Sequence, residues 1–92
     1  MLIGTREFLL RTRIDAGLVE TWVAAGWLLP EEAEGERHFS ERDMARALLI
    51  RELRDELGVN DEGVAVILDL LDQLHGVRTA LRRVALAMRE KA

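Results

Sequence analysis

The last third of the chain constrains the fold most, because residues 61–92 have the pattern of one long helix. Its apolar positions recur at alternating spacings of four and three, the repeat of a coiled-coil seam. They are Ile67, Leu71, Leu74, Leu81, Ala85 and Met88, with Arg78 at the position that interrupts the seam. A head of roughly 60 residues cannot bury so narrow a stripe along so long a helix, so we expect a partner helix to cover it. The alternative is a tail that folds back on its own head.

Charge is distributed unevenly along this helix. Residues 61–74 contain four acidic and no basic side chains, whereas residues 75–92 contain five arginines and lysines against Glu90. Acid first and base last suits the helix macrodipole, which alone explains the split. The split also favours an antiparallel pair, in which acidic halves face basic halves, and we predict a homodimer of this kind. The candidate interface residues are Ile67, Leu71, Leu74, His75, Arg78, Leu81, Ala85 and Met88.

The first 26 residues read as two short helices. Thr5 is a candidate N-cap for a helix over residues 5–10, and Asp15 is a candidate N-cap for the second. Gly26 stands where a helix commonly ends in the left-handed conformation. The apolar face of the second helix is formed by Leu18, Val19, Trp22 and Val23.

Residues 27–39 lack a helical pattern. Trp27–Leu29 and Arg37–Phe39 are short apolar-containing runs, and the polar, glycine-containing residues 31–36 separate them. Two such runs around a turn predict a small β-hairpin. Helix, turn, helix and hairpin is the order of elements in a winged helix-turn-helix.

A third helix follows the hairpin. Ser40, with Asp43 three residues later, resembles a capping box, and Gly58 is a helix stop. The apolar stripe of this helix is Met44, Ala47, Leu48, Leu53 and Leu57. Asn60 then caps the long helix, and Val59 packs on Val64 as a hydrophobic staple. We predict a mainly α protein with a winged helix-turn-helix head (residues 1–60) and a C-terminal dimerisation helix (residues 61–92) in one folding unit.

Composition excludes several classes of function. The chain has no cysteine, and His38 and His75 lie far apart without ligand spacing, so we expect no metal site and no cofactor. No nucleophile has a base at a plausible spacing, so we predict neither an enzyme nor a small-molecule substrate. No signal pattern is present, and no apolar run reaches the roughly 20 residues that span a bilayer. We therefore expect a cytoplasmic protein without a membrane partner.

The residues also resemble a known family. Leu28-Leu29-Pro30 after a helix-ending glycine, and Arg37-x-Phe39-Ser40-x-x-Asp43, are similar to the MerR-like winged-helix superfamily. Within it, residues 22–30, 49–60 and 63–74 resemble the chaperone modulators of the CbpM type. The resemblance implies a non-enzymatic protein that binds the J-domain of a CbpA- or DnaJ-like co-chaperone. Such binding keeps the J-domain from stimulating its DnaK-type chaperone.

A MerR-family DNA-binding transcriptional regulator is the alternative. DNA-binding members carry an Arg-Tyr pair on the second helix, and the matching positions here hold Glu20 and Thr21. Glu20 repels phosphate where an arginine pairs with it. Residues 1–39 contain seven acidic and four basic side chains, and the net charge is −4. These charges disfavour DNA as a partner.

The same carboxylates suit a basic partner surface, such as the positively charged helix that J-domains present as a family. The candidate J-domain contacts are Asp15, Glu20, Trp22, Trp27, Glu31 and Glu32. Two other interpretations stay open. The acidic run at the hairpin tip is equally typical of a solvated loop, and a tryptophan at this spacing is more often a core residue. Phe8 and Phe39 are predicted core residues.

Overall fold

A computed structural model of the chain describes residues 1–91; Ala92, the last residue of the predicted dimerisation helix, lies outside the described part. The elements in chain order are β1 (Leu2–Gly4), α1 (Thr5–Thr12), α2 (Ala16–Ala24), β2 (Glu31–Ala33), β3 (Glu36–Ser40), α3 (Glu41–Arg51), a π-helical turn (Glu52–Glu56) and α4 (Asp61–Lys91). The mainly α fold, with a small wing and a long C-terminal helix, is as predicted.

The N-terminus differs from the prediction. Thr5 is the first residue of α1 and not its cap, because Gly4 occupies the N-cap position without a side-chain hydrogen bond. Gly4 is held in an extended conformation by β1, which pairs antiparallel with β3 so that Ile3 faces Phe39. β1 was not predicted, since three residues carry no strand pattern of their own.

Both termini of the second helix are as predicted. Asp15 accepts a hydrogen bond from the Gly17 N–H at 2.9 Å, which confirms its role as N-cap. Gly26 adopts φ 78°, and its N–H donates to the Val23 carbonyl oxygen, while the Trp27 N–H donates to that of Trp22. These two bonds form a Schellman motif, which explains the glycine at this position.

The first strand of the predicted hairpin was misplaced. Residues Trp27–Leu29 are not a strand, because the N–H groups of Trp27 and Leu28 are bonded back to the end of α2. The strand is β2, within the segment predicted as the turn, and it pairs with β3 in the sheet order β1-β3-β2. The turn is Glu34-Gly35, with φ 55° and 78°, as a two-residue type I′ hairpin requires.

The third helix begins with the predicted capping box, in which Ser40 and Asp43 bond reciprocally. Its apolar stripe was predicted only in part. Ala47 and Leu53 are buried, but Leu48 and Leu57 are exposed. The Leu57 N–H donates to the Glu52 carbonyl oxygen five residues earlier, at 3.1 Å. This π-helical turn holds more residues than an α-helical turn, so it rotates the following side chains off the apolar face.

The long helix begins after Asn60, whose side chain accepts from the Gly63 N–H at 2.8 Å, as predicted for the cap. Val64 belongs to the core cluster, and the half-buried Val59 packs against that cluster, as the staple requires. Val64 and Leu68 are buried, whereas the apolar side chains from Leu70 onward are exposed. The tail therefore does not fold back on its own head. No helix within residues 1–91 is long and apolar enough to cross a membrane.

The core lies between the sheet, the three head helices and the first two turns of α4. Phe8 of α1 stacks on Phe39 of β3 with ring centroids 4.0 Å apart, which confirms both as core residues. Around them the core is completed by Ile3, Ile14, Val19, Trp22, Leu28, Ala47, Ile50, Leu53, Val64 and Leu68. Burial of this set fixes α2 and the wing side by side on the surface of the head.

Candidate functional site

The surface of α2 carries one charged side chain, Glu20, among the residues Ala16–Ala24. Its carboxylate, 61% exposed, forms an ion pair with the Arg37 guanidinium of β3, 28% exposed. Arg37 is the one arginine or lysine in residues 27–39. The pair therefore ties the second helix to the wing and neutralises the cation that the wing could otherwise offer to a phosphate.

The wing itself is an acidic ribbon. Glu31, Glu32, Glu34 and Glu36 are all exposed. In the register of β2 and β3, Glu32 lies opposite Arg37 and Glu31 lies opposite His38. Because successive strand residues point to opposite faces, Glu32 shares the face of the Glu20–Arg37 pair and Glu31 lies on the other. Carboxylates thus cover both faces of the wing.

The two tryptophans lie mainly in the core. Trp22 is buried, and Trp27 packs against the core cluster with its ring centroid 6.5 Å from that of Trp22. The Arg54 guanidinium covers the Trp22 ring at 5.8 Å from its centroid, within cation–π range. Trp22 is therefore a core residue and is not exposed as an anchor for a partner.

Asp15 lies apart from the wing. Besides capping α2, it lines a shallow depression together with Arg13, Leu18, Arg51 and Asp55. Charges of both signs meet there. The structure therefore brings Glu20 and Glu32 to one face of the wing and Glu31 to the other, and it places Asp15 with a different, mixed-charge surface.

Leu29 is a surface residue that was not among the predicted partner contacts. Its side chain is 71% exposed, while its neighbour Leu28 is fully buried. The Leu29 N–H donates to the buried carboxylate of Asp43 at 2.9 Å, and Pro30 restricts its backbone further. Leu29 is thus an exposed apolar side chain on the segment that leads into β2, where it lines a depression with Arg42, Arg46 and Asp72. The sequence does contain a signal for such an exposed residue, which is the pair Leu28-Leu29 before Pro30 and an acidic run. Only one of these two adjacent leucines faces the core.

Arginines of α3 connect this region to the tail. The Arg46 Nε donates to the Trp27 carbonyl oxygen at 2.7 Å, and a terminal guanidinium nitrogen of Arg46 contacts Asp72 of α4 at 2.8 Å. Arg42 contacts the same carboxylate at 3.2 Å. The segment that contains Leu29 is therefore held by two side chains of α3, Asp43 and Arg46.

The predicted dimer contacts lie along α4. Ile67 is half-buried, and the remaining seven are exposed: Leu71, Leu74, His75, Arg78, Leu81, Ala85 and Met88. Within the described residues 1–91, no three His, Cys, Asp or Glu side chains are grouped so that they could hold a metal ion.

One comparison with known proteins gave a match. A family model described as MerR HTH family regulatory protein matches residues 3–85, which include the head and most of α4. Searches of curated proteins and of solved structures gave no match.

Proposed function

This chain belongs to the MerR HTH family of regulatory proteins, and from that premise we propose that it regulates by binding a protein. Specifically, it acts as a chaperone modulator of the CbpM type that binds and inhibits a CbpA- or DnaJ-like J-domain co-chaperone. Its proposed contacts lie on and next to the wing: Glu20 and Glu32 on one face, Glu31 on the other, and Leu29 on the segment that leads into β2.

The observation that carries the proposal is the Glu20–Arg37 ion pair. By the family resemblance, α2 stands where a DNA-binding member places its recognition helix. In such a helix, arginine or lysine side chains contact phosphates and base edges. Here the helix presents a carboxylate, and that carboxylate occupies the arginine of the wing. The helix therefore lacks the basic side chain that DNA binding requires, and the arginine of the wing is already paired with Glu20.

The overall charge of residues 1–39 also disfavours DNA as a partner. DNA affinity depends on phosphate neutralisation by basic side chains. Residues 1–39 contain four arginines against seven acidic residues, and Arg37 is already paired. Of the other three, Arg11 lies 3.7 Å from Glu7. The head therefore favours a cationic partner over a polyanion.

A J-domain fits this surface because J-domains, as a family, present a positively charged helix. Carboxylates of the wing attract that helix over a distance of about 10 Å at moderate ionic strength. Leu29 supplies an exposed apolar contact, and burial of such a side chain in an interface contributes more to affinity than exposed ion pairs do. A J-domain held in this way cannot present the same helix to its DnaK-type chaperone, so binding inhibits by competition.

A DNA-binding transcriptional regulator is the second candidate, and the match to a helix-turn-helix regulatory family favours it. On this chain the basic cluster Arg6, Arg11 and Arg13 would supply its phosphate contacts.

Titration of the full chain with a purified CbpA-type J-domain from the same genome separates the two functions. We expect saturable binding, with backbone amide shifts at Glu20, Leu29, Glu31 and Glu32, and a loss of J-domain-stimulated ATP hydrolysis by the DnaK-type chaperone. A parallel titration uses duplex DNA from the chain's own promoter region. Tight DNA binding with a steep salt dependence, without J-domain binding, would overturn the proposal in favour of the regulator.

A further inference from the structure

The long helix α4 is anchored to the head near its N-terminus. Within residues 1–91, its buried side chains Val64 and Leu68 and its ion pairs with the head all lie before residue 73. Residues 73–91 contain no buried side chain and are about 28 Å long at 1.5 Å per residue. Asp72 is therefore the contact nearest to the point at which the helix leaves the head.

Two arginines of α3 converge on the Asp72 carboxylate. The Nη1 atom of Arg46 lies 2.8 Å from its Oδ1 atom, and the Nη2 atom of Arg42 lies 3.2 Å from the same oxygen. The Arg42 side chain is 62% exposed, whereas that of Arg46 is 15% exposed. Solvent screens a partly buried ion pair less than an exposed one, so the contact with Arg46 is the stronger of the two.

Arg46 also holds the segment that precedes the wing. Its Nε–H group donates to the carbonyl oxygen of Trp27 at 2.7 Å. A guanidinium group is planar and its N–H groups have fixed relative directions, so a contact at Nη1 also restricts the direction of the Nε–H group. Asp72 therefore orients the donor that binds the Trp27 carbonyl group.

The Trp27 carbonyl group lies two residues before Leu29. The residue between them, Leu28, is fully buried, and the Leu29 N–H is bonded to Asp43. The bond from Arg46 is a further contact that fixes this segment, and through Asp72 it continues into α4. The position of Leu29 and the docking of α4 thus depend on one guanidinium group.

We propose that Asp72 is a positioning residue for Leu29, and that the docking of α4 on the head regulates the affinity for a partner that binds Leu29. This inference rests on the proposed function, which places Leu29 in the contact with a J-domain. While Asp72 holds Arg46, the Trp27 carbonyl group is held as well, and Leu29 is presented in one position. When that contact is broken, the segment samples more positions, and binding has to order it at a cost in conformational entropy.

The coupling acts in both directions, because two linked equilibria change each other by the same factor. A partner that fixes Leu29 strengthens the docking of Asp72, and an event that displaces α4 from the head weakens partner binding. Since residues 73–91 extend beyond the anchored part, a movement of that part of α4 reaches the head first at Asp72.

Amide hydrogen exchange of the free, full-length chain tests the connection without any partner. Asp72→Ala removes the carboxylate, and we expect exchange of the Leu29 N–H to accelerate about threefold or more, while that of the core residue Ile50 changes by less than about twofold. Asp69→Ala is the matched control, since it removes the same charge from the same helix and the Asp69 carboxylate bonds to Gln73 of α4 itself. Unchanged exchange at Leu29 in Asp72→Ala would overturn the proposal, as would equal acceleration by Asp69→Ala.

Titration with the purified CbpA-type J-domain separates positioning from direct contact, because Asp72 lines the same depression as Leu29. Arg46→Lys keeps the charge but lacks the planar fork that joins Asp72 to Trp27. Asp72→Ala should lower J-domain affinity about threefold in the unsubstituted chain and less than about 1.5-fold in the Arg46→Lys chain.

A loss of about threefold in both backgrounds would show that Asp72 contacts the partner directly, and it would overturn the positioning role. An unsubstituted chain that does not bind the J-domain would overturn the proposed function instead. The exchange measurements on the free chain would then decide by themselves whether Asp72 positions Leu29.

Discussion

The carboxylate of Asp43, which caps α3, also accepts a hydrogen bond at 2.9 Å from the backbone N–H of Leu29, fourteen residues earlier. One buried side chain therefore joins the start of the third helix to the segment that leads into the wing. The same side chain keeps Leu29 at the surface in a defined position. The helix cap and the candidate partner contact thus depend on one residue.

Removing this carboxylate should cost more than removing the rest of the cap. Asp43→Ala leaves the N–H groups of Leu29 and Ser40 without their acceptor, and we expect a loss of about 2–3 kcal/mol in the free energy of unfolding. Ser40→Ala removes only the other half of the capping box, at about 1 kcal/mol. Urea denaturation followed by circular dichroism measures both. Equal losses would mean that the Leu29 bond contributes nothing.

Leu29 should matter for binding and not for folding. Because its side chain is 71% exposed, Leu29→Ala should change the free energy of unfolding by less than about 0.5 kcal/mol. An apolar side chain buried in an interface typically contributes more than about 1 kcal/mol, so J-domain affinity should fall about fivefold or more. Leu57→Ala is the matched control, since Leu57 is 68% exposed and follows the π-helical turn. Isothermal titration of both variants decides, and equal affinities would exclude Leu29 from the interface.

Charge reversal at Glu20 should weaken J-domain binding. Glu20→Lys puts a cation beside Arg37 and facing a cationic partner, and we expect affinity to fall about tenfold, with a weaker dependence on salt. The exposed ion pair itself contributes at most about 1 kcal/mol to stability, so the fold should persist. Glu20→Gln, which only removes the charge, should have a smaller effect. Binding that is equally tight in all three proteins would move the contact surface away from α2.

Asp15 has two separable roles, because it caps α2 and carries a charge. Asp15→Lys should destabilise the protein by about 1 kcal/mol through loss of the cap. Asp15→Asn retains an acceptor for the Gly17 N–H and should keep the stability near that of the unsubstituted chain. Since Asp15 lies apart from the wing, neither variant should change J-domain affinity by more than about twofold. A large loss of affinity in Asp15→Asn would extend the interface to the start of α2.

Two glycines should respond to alanine in opposite directions. Gly26 has φ 78°, so Gly26→Ala forces a left-handed alanine and should cost about 1 kcal/mol. Gly76 lies within α4 with open space at its Cβ position, so Gly76→Ala should stabilise the helix by up to about 1 kcal/mol. Thermal or urea denaturation at one fixed protein concentration measures both changes. A loss of stability in Gly76→Ala would indicate that this position packs against another chain.

Features encoded in a few neighbouring residues were predicted from the sequence. The caps at Asp15, Ser40 and Asn60, the left-handed glycine at the end of α2 and the extent of α4 up to the last described residue all follow such local rules. Each depends on a side chain or a glycine within three or four residues of the backbone groups that it serves. Such contacts need no distant residue, although pairing of β1 with β3 overrides the same kind of pattern at Thr5.

Tertiary structure determined the features that were not predicted, because these features are stabilised by contacts between residues that are distant in the sequence. β1 is a strand only because β3 lies beside it. Trp27–Leu29 is held by the end of α2, Asp43 and Arg46 instead of joining a sheet. The Glu20–Arg37 pair joins residues 17 positions apart. The charge of α2 could be read from the chain, but its pairing with the arginine of the wing depends on the packing of helix and sheet over one core.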